Sequence, residues 1–153
     1  MSKLDDRLAE LGLTIPEVAK PVAAYVPAVV TGNLVYTSGQ LPFVDGVLPA
    51  TGKVGGAVSA QAAKDMARTC VLNGLAAVKS AIGSLDRVTR IVKVVGFVAS
   101  EPSFEGQSGV VNGASELLGE IFGEAGFHAR SAVGMAALPL NSPIEVEFIV
   151  EFA

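Results

Sequence analysis

The chain has 153 residues, 50% hydrophobic and 17% charged, which suits one domain with a real core and argues against disorder. A net charge of −4 argues against a grip on nucleic acid, the single cysteine excludes an internal disulfide, and the single histidine makes a Cys/His metal site implausible. No apolar run nears the ~18 residues that span a bilayer, and Met1-Ser2-Lys3-Leu4-Asp5-Asp6 lacks a signal-peptide pattern, so a cytoplasmic protein with no membrane partner is expected.

Leu4, Leu8 and Leu11 recur at helical spacing, Ser2 and Asp5 are spaced as a capping box, and Gly12 reads as the stop. A second short helical turn is expected from Thr14, with Pro16 and Glu17 in it and Pro21 ending it. Residues 1–21 thus read as a helical extension docked through its leucines, ahead of a domain at 22–153. Val26 to Val30 and Asn33 to Ser38 are β-rich and read as a hairpin turning at Thr31-Gly32. Residues 43–57 read as a loop holding an edge strand at most.

Ser59 opens a long helix to about Ala81, with Ala63, Ala67, Cys70, Ala77 and Ala81 on one stripe and Gly83 as its stop. Val88 to Val98 is a strand ended by Glu101-Pro102-Ser103. A second helix runs from about Gln107 to Glu124, buried along Val110, Ala114, Leu117 and Ile121. Its Glu116, Glu120 and Glu124 share the other face, which reads as solvated. Ser131 to Leu138 and Ile144 to Phe152 complete the elements. The order implies an α+β fold, with a single mixed sheet of about six strands and two long helices on one face.

Arg130 is flanked by so much Ala and Val that its guanidinium is unlike a solvated surface charge. Burying it is costly unless oxygens satisfy it, and an acidic ligand is a natural partner if the protein does not. Glu145, Glu147 and Glu151 alternate along the last strand and share a face, which is either solvent-facing or aimed in part into a cleft. The Gly46 to Lys53 stretch has the wrong spacing for a phosphate loop. No nucleophile-elbow pattern accompanies His128, which reads as a satisfied surface residue beside Arg130.

Several segments together resemble a known family: Gly32-Asn33-Leu34-Val35-Tyr36-Thr37-Ser38-Gly39-Gln40-Leu41-Pro42, Val95-Gly96-Phe97-Val98, Val111-Asn112, Ala129-Arg130-Ser131 and Ile144-Glu145-Val146-Glu147. In order and spacing, over about residues 22–152, they are similar to the RidA family of enamine/imine deaminases, also called YjgF or endoribonuclease L-PSP. The resemblance implies a chorismate-mutase-like fold, a homotrimer with pockets between subunits, and hydrolysis of 2-imino acids to 2-keto acids and ammonia without a cofactor.

It also implies roles for particular residues. Arg130 grips the substrate carboxylate, and Glu145 positions the attacking water. Tyr25, Ser38, Asn112 and Ala132 bind or shape the pocket. This chain departs from the family pattern at His128, where proline is common, at Ala132, where cysteine is common, and at Gly134, where a charged residue is common. Those changes imply a roomier pocket wall. Two other functions compete: a non-catalytic trimer that holds a small carboxylic or keto acid, and RNA cleavage, which net charge and the lone histidine disfavour.

Overall fold

The computed structural model describes residues 2–18 and 24–153. Helix α1, Lys3–Glu10, starts at the expected capping box: Asp5 donates its backbone N–H to Ser2 Oγ at 3.1 Å, and Ser2 N–H reaches back to Asp5 Oδ2 at 3.4 Å. Hydrogen bonding from the Ser2 side chain, and then from the Ser2 N–H, holds the Asp5 carboxyl below the ordinary carboxylate range. The helix docks by burying Leu8, by the Leu4 N–H bonding Asp86 Oδ1 at 3.0 Å, and by Arg7 Nε bonding the Glu120 carbonyl at 2.8 Å. Residues 13–18 form no helix, so the short turn expected from Thr14 is absent there; its stop, Pro21, lies outside the described residues.

Five strands form the sheet: β1 Ala28–Thr31, β2 Leu34–Thr37, β3 Val88–Ala99, β4 Ala129–Met135 and β5 Ile144–Phe152. Their order across the sheet is β1-β2-β5-β3-β4; β3 runs antiparallel to β5 and parallel to β4. The mixed α+β architecture is the one expected, with five strands instead of about six. Residues 43–57 supply only isolated bridges, among them Val44 with Val47 and Val54 with Ser100. The hairpin turns at Gly32-Asn33, one residue later than expected, because Thr31 pairs with Leu34 and Gly32 takes φ 58°.

Helix α2, Ala60–Ile82, is capped by Ser59 Oγ, which accepts from Ala62 N–H at 3.1 Å, and is stopped by Gly83. It buries Ala63, Met66, Ala67, Cys70 and Val71, whereas Ala81, expected on that stripe, is exposed. Burial pushes the Cys70 thiol well up, so it behaves as a small hydrophobe. Helix α3, Gln107–Phe122, ends two residues before the expected Glu124 because Gly123 at φ 62° turns the chain into a tight 123–126 turn. Glu116 and Glu120, read as a solvated row, pair across to Lys64 and Arg68 of α2 at 3.3 Å each.

Both long helices lie on one face of the sheet. Val94, Val98, Ile144, Val146, Phe148 and Val150 point into that layer and are buried. The approach is close enough that a Cβ on Gly74 would run into the Phe148 ring. Gly119, also within a helix, faces open space. Gly74→Ala is therefore expected to destabilise the fold by about 1–3 kcal/mol through overpacking, and Gly119→Ala to stabilise it by roughly 0.5–1 kcal/mol. Denaturant melts of the two variants check both signs.

Candidate functional site

Helix α3 carries Ser108, Asn112 and Ser115, spaced four and then three residues apart, so they line one polar stripe of the helix. That stripe faces β4, where Arg130 sits. Arg130 pairs with Val94, and Val94 with Phe148, so its side chain emerges on the helix-covered face of the sheet at the open edge strand. Its Nη1 donates to Asn112 Oδ1 at 2.7 Å and to Ser115 Oγ at 3.2 Å, and Nη2 donates to the Ser108 carbonyl at 3.4 Å. Nε makes no hydrogen bond among the described residues.

The oxygens that hold this guanidinium are neutral. No carboxylate of the described residues lies within ion-pair distance of it. Its charge is therefore fixed in place and left uncompensated, and the Nε side of the fork remains for a planar anion. Of the residues expected at the site, Arg130 and Asn112 meet directly. Ala132 follows on the same face, opposite Gly96.

The expectation of a roomier wall does not hold at Gly134. A Cβ there would stand 2.9 Å from Gln107 Nε2, because Gln107 fills that space and bonds the Phe104 carbonyl at 2.8 Å. His128, read as a surface residue, is half-buried with both ring nitrogens bonded. Nδ1 is 2.6 Å from the Gly126 carbonyl, and Nε2 is 2.9 Å from Ser115 Oγ.

A second cluster forms around the corner after β2. Thr37 Oγ1 accepts from the Phe148 N–H at 3.1 Å, and Gln40 exchanges backbone bonds with Val146 at 2.8 and 3.0 Å. Between those anchors the chain bulges through Ser38 and Gly39. The Ser38 hydroxyl donates to the Val26 carbonyl at 2.6 Å, tying the segment that carries the exposed Tyr25 to the corner. Gly39 has no side chain where the Glu145 carboxylate lies; a Cβ would collide with it. Ser38, Gly39 and Glu145 therefore meet at this corner, and Tyr25 is next in the chain to the Val26 carbonyl that Ser38 bonds.

Glu145 pairs with Phe97, and Phe97 with Val133, which places it on the sheet face away from the helices. Arg130 is on the opposite face, two strands away, about 10 Å across, and three residues along, about 10 Å. The fold thus does not bring Arg130 and Glu145 together within one chain. Sequence reasoning missed Gly39, Ser108 and Ser115. The 108-112-115 spacing of uncharged polar residues along the helix was the available signal for the last two.

Residues 5–152 match the family model described as "YjgF/chorismate mutase-like, putative endoribonuclease". Protein TCP17 of Trypanosoma cruzi is 43% identical over 145 residues, covering 94% of this chain and 91% of its own. The 2-iminobutanoate/2-iminopropanoate deaminase of Escherichia coli K12 is 37% identical over 130 residues, covering 84% and 87%. Among solved structures, Atu1372 of Agrobacterium tumefaciens, a protein of unknown function, superimposes with a TM-score of 0.91 at 47% identity, covering 98% of this chain and 92% of its own. No helix among the described residues is long and apolar enough to cross a membrane.

Burial, and then the neighbouring Glu147 carboxylate, push the Glu145 carboxyl above the ordinary glutamate range. An acid whose folded pKa is raised makes its full contribution to stability below the unfolded pKa and loses it as pH rises through the folded pKa. Glu145→Gln should accordingly raise Tm at neutral pH. The gain should vanish below about pH 4, where the carboxyl is protonated in both folded and unfolded chains. Thermal melts of the two proteins across that range check the sign.

Proposed function

The chain belongs to the YjgF/chorismate mutase-like family, and from that premise we propose that it hydrolyses reactive 2-imino acids to 2-keto acids and ammonia. The observation that carries the reading is the guanidinium of Arg130. It is immobilised by neutral oxygens on one side and open on the other, as a receptor for a carboxylate requires. The deaminase relative retains enough identity, at 37%, for its named reaction to be the natural first test.

In this mechanism Arg130 takes the substrate carboxylate and so fixes the adjacent C=N carbon. Glu145 accepts a hydrogen bond from a water and aims its oxygen at that carbon. As the C–O bond forms, the C=N π electrons pass to nitrogen, and the water proton moves to the carboxylate and on to nitrogen. The proton of the new hydroxyl then passes by the same carboxylate to nitrogen as the C–N bond breaks, so that ammonia leaves and the carbonyl forms. An iminium or imine carbon is already electrophilic, so orientation and proton transfer supply the catalysis and no cofactor enters the scheme. Tyr25 and Ser38 shape the wall beside Glu145, and Asn112 and Ala132 the wall beside Arg130.

Because Arg130 and Glu145 occupy opposite sheet faces, this mechanism needs the Arg130 cluster of one copy beside the Glu145 cluster of another. The sheet face away from the helices supports such an assembly. It exposes Val29, Tyr36 and Val133 and carries the partly buried Val95, Phe97 and Ile149. A cyclic trimer supplies three equivalent pockets. The competing reading, a trimer that binds a keto acid without turnover, requires Arg130 and not Glu145.

The test is keto-acid release from freshly generated 2-aminoacrylate. Arg130→Ala should lower kcat/KM roughly 10²-fold, the value of a lost charge-assisted pair. Glu145→Gln should lower kcat by a similar ~10²-fold while equilibrium binding of pyruvate survives. Unchanged turnover in Glu145→Gln removes that residue from the mechanism. Pyruvate binding without any turnover in the unmodified protein favours the binding module. The acid limb of kcat should lie above the ordinary glutamate range, following the raised pKa of Glu145.

A further inference from the structure

His128 and Ser115 form a hydrogen-bonded pair that ends on Arg130, and nothing in the proposed reaction has yet used it. The chemistry fixes the direction of each bond. The Gly126 carbonyl can only accept, so His128 Nδ1 carries the proton of that 2.6 Å contact. In the neutral ring Nε2 is then an acceptor, and the Ser115 hydroxyl donates to it at 2.9 Å. With its only proton committed to the ring, Ser115 Oγ turns lone pairs toward Arg130 Nη1 and accepts from it at 3.2 Å. Without the imidazole the hydroxyl would rotate, and its own proton could face the guanidinium.

We infer that His128 is a positioning residue for carboxylate recognition: through Ser115 it orients the Arg130 guanidinium so that its Nε side faces an incoming carboxylate. Asn112 Oδ1 holds Nη1 from α3 directly, and the His128–Ser115 pair is the second hold on the same nitrogen. Two contacts on Nη1 and one on Nη2 leave Nε–H and one Nη2 proton for the ligand, a pair suited to both oxygens of a carboxylate. The path starts at the tight turn of residues 123–126, whose Gly126 carbonyl anchors the ring. The specificity of the cleft for an acid over its neutral isostere then depends on a residue that does not itself touch the ligand.

The inference rests on the carboxylate-binding role given to Arg130, but not on turnover, so its test is equilibrium binding. Pyruvate and neutral pyruvamide are titrated into the unmodified protein, His128→Ala, Ser115→Ala, the double variant and Ser115→Thr. The unmodified protein should prefer pyruvate. His128→Ala and Ser115→Ala should each weaken pyruvate roughly tenfold, the scale of one hydrogen bond to a charged group, with pyruvamide little changed. The double variant should be no weaker than either single one, and Ser115→Thr should restore pyruvate binding.

The single histidine of the chain provides a direct signature: its imidazole ¹⁵N resonances should report a proton on Nδ1, and pyruvate should shift Nε2 only when Ser115 keeps its hydroxyl. Pyruvate affinity unchanged from the unmodified protein in either single variant overturns the inference. So do equal losses for pyruvate and pyruvamide, multiplicative losses in the double variant, or failure of the unmodified protein to bind pyruvate. Should His128→Ala not fold, Ser115→Ala and the ¹⁵N signature decide alone. Binding with these signatures but no keto-acid release would sink the deaminase reading and leave this one standing.

Discussion

The antiparallel pairing of β3 with β5 constrains everything else, because its period of two sorts each side chain of both strands to one face or the other. Val94, Val98, Ile144, Val146 and Phe148 fall on one face and draw α2 and α3 down onto it. At roughly 25 cal/mol per Å² of apolar surface, that burial is the main favourable term in the fold. Moving the register by one residue would turn Glu145 and Glu147 into the helix layer and Phe148 out of it. The positions of the charged residues therefore follow from the packing of the apolar ones. Adding β4 parallel to β3 carries the same sorting to Arg130, which lands on the helix side only because it lies level with Val94.

The two clusters this produces are electrostatically unlike. Arg130 is held by neutral oxygens of Asn112, Ser115 and Ser108, which satisfy its donors without cancelling its charge. Glu145 is half-buried beside another carboxylate, in space that exists because residue 39 has no side chain, and its ionised form is disfavoured. The first cluster is prepared to receive an anion. In the proposed reaction the second passes a proton, a role that a raised carboxyl pKa favours.

Much of this was legible in the sequence where one local rule governed. The Ser2–Asp5 capping box, the Ser59 cap, the Gly83 stop and the buried Cys70 each depend on chemistry within a few residues. Arg130 stood out because its neighbours are apolar, and Asn112 entered as a pocket residue from the family pattern; the hydrogen bond that joins them is visible only in the structure. Elsewhere a tertiary partner decided the outcome. The 43–57 segment has strand-like residues, yet only isolated bridges form there and the sheet has five strands. Ala81 keeps the helical period yet is exposed, while Ile82 beside it is the residue that is buried. His128 looked like a loop residue because neither Ser115, thirteen residues back, nor the Gly126 carbonyl can be tied to it by spacing. Gly134 suggested space that Gln107 in fact occupies.

Keeping Arg130 and Glu145 on opposite faces has a physical consequence for the proposed chemistry. Side by side in one chain they would form an ion pair, the carboxyl pKa would fall, and the guanidinium would offer a substrate nothing that was not already satisfied. Separated, each keeps a distinct property: an uncompensated cation on α3's polar stripe, and a carboxyl behind Gly39 whose pKa is raised by burial and by Glu147. A pocket completed between copies brings them near each other only with the substrate carboxylate and the imine carbon between them. The substrate carboxylate then meets the cation first, and Glu145 acts on the water instead of on the arginine. The sorting of side chains by β3 and β5 thus accounts for the packing of one copy and is the reason the proposed chemistry calls for a second.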